Sequence, residues 1–155
     1  MKKFFYLLLI ISIGNFSCAP ICACEPILAE LYLVIRNNAG DLLNPKTNGY
    51  FPKDQIKVTI KRKTDTITHV VDFKIAPPID YGDIKLSYYQ LKLDDAATYS
   101  NRDFDLYLTL PNRQPVLIKL FSSKDARKLE LLTIDGVNIK PEVKFPLNTL
   151  FYYTL

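Results

Sequence analysis

Cys18, Cys22 and Cys24 fall within the stretch ISIGNFSCAPICACEP, and the chain has no other cysteine. Thiols crowded this way could pair as a disulfide, hold a metal or receive a lipid. The spacing of Cys22 and Cys24 suits neither an ordinary disulfide nor a structural zinc site, which needs a second pair of ligands further along the chain. The third chemistry fits what comes before. Met1-Lys2-Lys3 is a short basic start, and Phe4 to Ile13 runs without a charge. That is the layout of a secretory signal peptide, too short for an ordinary spanning helix of about 20 apolar residues.

A cysteine at the cleavage point is the mark of a bacterial lipoprotein, whose acyl chains hold it on a membrane. Two positions compete. Cys24 follows Ile21-Cys22-Ala23, a good match to an aliphatic-small-small-Cys pattern. Cys18 lies closer to the apolar run and follows Ser17, with Asn15 and Phe16 fitting poorly. Exported thiols meet an oxidising compartment, and processing at Cys24 leaves none unused. Cys24 is therefore the expected attachment residue, with Cys18 as the alternative. Residues 1–23 are then the signal, 24–28 a short linker and 29–155 the folded domain. The expected location is the cell envelope, lipid-anchored at the outer membrane.

Other chemistry is sparse. His69 is the single histidine and sits mid-strand with no nucleophile in a recognisable setting. Asp80 and Asp83, Asp94 and Asp95, and Asp103 and Asp105 put carboxylates on two loops. Oxygen-rich loops can hold calcium, but no EF-hand spacing occurs. Paired carboxylates can hydrolyse glycosides, but that needs a deep cleft, so a small hydrolase is only a remote alternative. No glycine-rich phosphate loop is present. No catalytic residue, metal or cofactor is expected, and the protein reads as a non-enzyme.

The whole chain carries +4, and the signal supplies Lys2 and Lys3 with no acid, leaving +2 on the rest. That near balance, without a basic stripe, argues against nucleic acid. Lys61-Arg62-Lys63 reads as a strand end meeting solvent. Tyr81, Tyr88, Tyr89, Tyr99 and Tyr107 read as packing residues, or as surfaces that stack on a sugar or a partner protein.

The elements that must position these groups are strands. Ten Pro, five Gly and no Trp, with many β-branched and aromatic residues, lean that way. Glu30–Arg36 reads as a well-buried strand. Gln55–Lys61 alternates, with Ile56, Val58 and Ile60 inward, and forms a hairpin with Ile67–Ile75. Residues 76–83 read as a loop around Pro77-Pro78. Ile84–Leu93 reads as one long strand with a bulge near Tyr88-Tyr89, where its apolar phase shifts. Asp103–Leu110 and Pro115–Phe121 make a second hairpin, followed by a helical turn over Ser122–Lys128. Lys128–Ile134 and Val137–Lys140 make a third hairpin about Asp135-Gly136. Thr149–Leu155 closes the fold. The expected architecture is all-β: an antiparallel two-sheet sandwich of seven to eight strands, immunoglobulin-like or transthyretin-like. An outer-membrane barrel fits less well, because Lys57, Lys61, Asp72, Lys74 and Asp105 oppose apolar faces that resemble a dry core.

Residues 37–52 form a long connection, the kind that is either functional or packed by its own side chains. Leu42 and Leu43 are suited to plug it onto the sandwich end. Asp41, Asn44 and Tyr50 are its candidate binding residues.

The segment GDLLNPKTNGYFPKDQIKV (Gly40 to Val58), behind a signal that ends in cysteine, resembles a group of small Bacteroidetes-type lipoproteins, most of unknown function. The resemblance covers the first part of the mature chain and the rest only as a general β pattern. It implies envelope anchoring and an immunoglobulin-like sandwich, and carries no catalytic residues. The expected function is a lipid-anchored binding module for an envelope protein or glycan. The alternative is a structural or assembly subunit of a surface complex.

Overall fold

The computed structural model describes residues 28–64, 66–81, 84–100, 103–144 and 148–155. In chain order, β1 is Glu30–Asn37, β2 Gly40–Asp41, β3 Lys57–Arg62, β4 Thr68–Val71 and β5 Lys74–Ala76. Next come β6 (Ile79–Tyr81), β7 (Ile84–Leu86), β8 (Gln90–Leu93), β9 (Phe104–Thr109) and β10 (Val116–Ser122). The last four are β11 (Leu129–Ile134), β12 (Val137–Ile139), β13 (Val143–Lys144) and β14 (Asn148–Thr154). Among the described residues there is no α-helix, and the molecule is all-β.

Two six-stranded sheets make the body. One has the order β13-β14-β1-β8-β5, with β2 also paired to β1; the other has the order β12-β11-β10-β9-β3-β4. Period-two alternation sends one face of each into a shared core. Leu31, Leu33, Ile35, Leu91, Leu93 and Phe151 come from the first sheet. Val58, Leu106, Leu108, Ile118, Leu120 and Leu132 come from the second.

β1 is apolar on both faces, and the fold uses both. Its Tyr32 and Val34 pack with Leu86 and Leu150 in a second cluster, joined by Ile79 from the β6–β7 hairpin. That hairpin is a small third layer over the outside of the first sheet. It replaces most of the loop expected at residues 76–83, with Pro77-Pro78 kept outside its ladder.

Three further expectations are corrected. Ile67–Ile75 is not one strand: it divides at Asp72-Phe73, β4 pairing with β3 and β5 with β8. Val71 and Phe73 stay buried across the break because the chain crosses between sheets while facing the same core. Ile84–Leu93 likewise divides into β7 and β8, in different sheets. Its phase shift marks a change of layer rather than a bulge. Ser122–Lys128 is not helical. Ser123 N–H donates to Lys128 O at 2.8 Å, and Ser123 Oγ accepts from Lys128 N–H at 3.1 Å. A serine that satisfies the backbone this way competes with a helix.

The closing strand also departs from an all-antiparallel reading. β14 runs parallel to β1, in register from Glu30↔Asn148 to Arg36↔Thr154. The hairpin over Asp135-Gly136 forms as expected, with φ of 48° and 80°, the left-handed pair such a two-residue turn demands.

Candidate functional site

The long connection after β1 is built from its own backbone. Leu42 N–H returns to Ile35 O at 2.8 Å, and Phe51 N–H to Leu42 O at 2.7 Å. Leu42 and Leu43 are each 1% exposed and belong to the main core. Asp41 lies beneath them, also buried. Its Oδ1 accepts Leu43 N–H at 2.9 Å, and its Oδ2 accepts Tyr89 N–H at 2.7 Å. Burial pushes this carboxyl above its ordinary range, and the two N–H groups partly offset that. Asp41 thus clasps the segment between β7 and β8 to the loop, and both of its oxygens are spent on the fold. Asn44 Oδ1 accepts Lys46 N–H at 3.0 Å and shapes a local turn. Tyr50 N–H donates to Thr47 O at 3.2 Å, and its side chain is half-buried. The three residues share one loop, yet their visible hydrogen bonds hold the loop itself.

Asp83 lies outside the described residues, and the other carboxylates of the acidic loops form no common cluster there. Asp94 is paired twice, with Lys74 Nζ at 2.8 Å and Lys92 Nζ at 2.9 Å. Lys74 first, then Lys92, hold its carboxyl down to about 2. Lys92 also reaches Glu30 at 2.8 Å, so one network ties β1, β5 and β8. Asp80 lies 4.0 Å from Lys85 on the exposed hairpin. Among the described residues no group of three His, Cys, Asp or Glu is placed to hold a metal. His69 is exposed on β4. The tyrosines mostly pack: Tyr88 meets Tyr152 edge-on at 5.7 Å, and Arg36 lies 4.6 Å over the Tyr152 ring.

One arrangement was hidden from the sequence. The segment Ala96–Ser100 forms a 3₁₀ turn, pinned by buried Ala96 and Ala97. Ser100 Oγ lies 2.9 Å from Ser122 Oγ at the end of β10. Between this turn, β9, β10 and the end of β3 is an open hollow of about 260 Å³. Lys63 and Lys119 bring cations to it, Tyr99, Phe104 and Phe121 bring rings, and Asp105 adds one carboxylate. A second depression of about 450 Å³ adjoins it, sharing Lys63 and Phe104 and adding Arg62. Arg62 lies 5.4 Å over the Phe104 ring. Phe121 is 46% exposed, a large ring left facing solvent.

The run Lys61-Arg62-Lys63 supplies part of this hollow while ending β3, so the strand-end reading stands and is incomplete. Lys119 and Phe121 went unnoticed because they read as the outward half of a strand. An outward phenylalanine beside a lysine was the signal available.

Cys18 and Cys24, and the whole signal segment, lie outside the described residues. Leu28 packs against the main core, and buried Ala29 donates its N–H to Ala126 O at 2.9 Å and accepts Ala97 N–H at 3.1 Å through its carbonyl. No helix among the described residues is long and apolar enough to cross a membrane. No family model, curated protein or solved structure matches this chain.

Proposed function

We propose that this chain is a lipid-anchored cell-envelope protein without catalytic activity, which binds an acidic glycan at the hollow between the Ala96–Ser100 turn and β10. The observation that carries the reading is the meeting of Lys63 and Lys119 with Tyr99, Phe104 and Phe121 around one open concavity. Aromatic faces stack on the apolar side of a sugar ring, and ammonium groups attract its carboxylate or sulfate. An open hollow suits one or two residues of a long polymer better than an enclosed small molecule.

The anchor is Cys24, with Cys18 as the alternative, at the outer membrane. The aliphatic-small-small-Cys motif at Cys24 supports it. Intact mass of the protein extracted from its native membrane tests this part. An acyl adduct on Cys24 is expected, and an unmodified N-terminus sinks the anchor.

For the ligand, titration calorimetry with polygalacturonate, and with dextran as the neutral control, is the direct measurement. Binding to the acidic polymer alone is expected. Phe121→Ala and Lys119→Ala should each weaken it about tenfold, the effect of one lost stacking or charge contact of about 1.4 kcal/mol. Wild-type affinity in both variants rejects the hollow as the site.

A second reading, an assembly subunit of a surface complex, is favoured by the apolar side chains Ile67 and Val70 on the β4 edge, 59% and 78% exposed. It predicts a stoichiometric protein partner on purification.

A further inference from the structure

We propose that β4 is an open sheet edge that takes a second copy of this chain by antiparallel strand pairing about His69.

Four strands end the two sheets: β13 and β5 in one, β12 and β4 in the other. An exposed edge offers unpaired N–H and C=O groups, and natural proteins blunt it with shortness, charge or proline. Three of these edges are blunted. β13 has two residues, and β12 has three and is followed by Lys140. β5 has three, begins with Lys74 and runs into Pro77-Pro78. β4 is different. Thr66-Ile67-Thr68-His69-Val70-Val71 has no Lys, Arg, Asp, Glu or Pro and is mostly β-branched. Ile67 and Val70 are 59% and 78% exposed, among the most exposed large apolar side chains described.

The backbone of β4 points the right way. Lys63 N–H donates to Asp103 O at 3.1 Å, so Lys63, and by alternation Lys61 and Thr59, direct their amides at β9. Arg62, Ile60 and Val58 then direct theirs at β4, where Ile60 faces His69 and Val58 faces Val71. His69 and Val71 are spent on β3. Thr68 and Val70 send their N–H and C=O outward, away from the sheet. A two-fold axis at His69 sets Thr68 of one copy against Val70 of the other, and each such pair exchanges two hydrogen bonds.

Charge favours a second copy over an arbitrary strand. The same axis sets Asp72 of one copy opposite Thr66 of the other. The β3–β4 register, carried two residues past its last pair of Lys61 and Thr68, makes Lys63 the neighbour of Thr66. Asp72 and Lys63 are both exposed, and alternation from buried Val71 and buried Val58 puts both on the outer face. Each copy therefore brings its acidic end to the basic end of its mate, twice over, with no like charges opposed along the strand.

Sedimentation equilibrium of the full chain, with reductant and in density-matched detergent, tests the pairing from micromolar to submillimolar concentration. A reversible monomer–dimer equilibrium is expected. Val70→Lys changes an exposed side chain and should leave the unfolding transition in place while abolishing the dimer. Asp72→Lys and Lys63→Asp should each weaken self-association about tenfold through like charges, and an equimolar mixture of the two should recover the wild-type constant as a heterodimer. A wild-type chain that stays monomeric overturns the proposal, as does a Val70→Lys chain that dimerises like wild type. A mixture no tighter than either variant alone overturns the antiparallel two-fold arrangement. None of these readouts depends on a ligand in the hollow.

Discussion

A buried carboxylate is costly unless its oxygens are met, and Asp41 shows how a loop can be fixed by meeting them. Two backbone N–H groups, from Leu43 and Tyr89, converge on its side chain at 2.9 and 2.7 Å. Removing it strands a buried donor at Leu43 and a part-buried one at Tyr89. Asp41→Ala should therefore destabilise the fold by about 2 kcal/mol or more, read as a lower urea midpoint at unchanged slope. Asp41→Asn keeps one acceptor and should fall between the two. A binding role for Asp41 would instead leave stability untouched and change affinity alone. From sequence, Asp41 was one polar residue in a long polar loop. Its decisive partner lies 48 residues away, beyond any local pattern. The leucines beside it were legible, because two adjacent apolar residues in a loop have few places to go but inward.

At the scale of strands, alternation was a faithful witness of burial and a poor one of membership. Ile56, Val58, Leu106, Leu108, Ile118 and Leu120 all face the core as their spacing implies. The same period carried Val71 and Phe73 straight through a break between sheets, since both sheets face one core. The hollow was less legible still, because its cations and rings come from β3, β9, β10 and a turn that only the folded chain brings together. The network of Glu30, Lys74, Lys92 and Asp94 ties three neighbouring strands, and its effect depends on pH. Asp94 titrates near 3.8 when free and about 2 when folded. Between those values the unfolded chain binds the extra proton. The contribution is thus complete above about pH 4 and is lost as pH falls through about 2. The side chain of Asp94 is 44% exposed, so salt should shrink the effect. Urea midpoints measured down that pH range should drop for wild type and drop less for Lys74→Met.

Across the whole molecule, the sandwich is tied at both sides by short crossings. Asp72-Phe73 joins β4 to β5, and residues 140–142 join β12 to β13. The centre of the first sheet is instead the parallel pair of β1 and β14, far apart in sequence. β14 lies along the full exposed side of β1, and its Leu150 and Phe151 are wholly buried, one in each cluster. Deleting residues 148–155 removes a whole neighbour of the most buried strand. Such a chain should show no cooperative unfolding transition by circular dichroism, whereas a peripheral last strand would leave a stable core. The expectation of a closing strand was correct, and its parallel direction could not be read, because period two is the same in either direction.

That parallel pair has a consequence for timing. Arg36 and Thr154, joined through Nε and Oγ1, are separated by 118 positions in the chain. β1 is therefore made long before β14, the strand that neighbours it in the sheet. The first sheet stays incomplete beside β1 until β14 has been made. A pairing across so long a separation closes a large loop, which makes it slow to form.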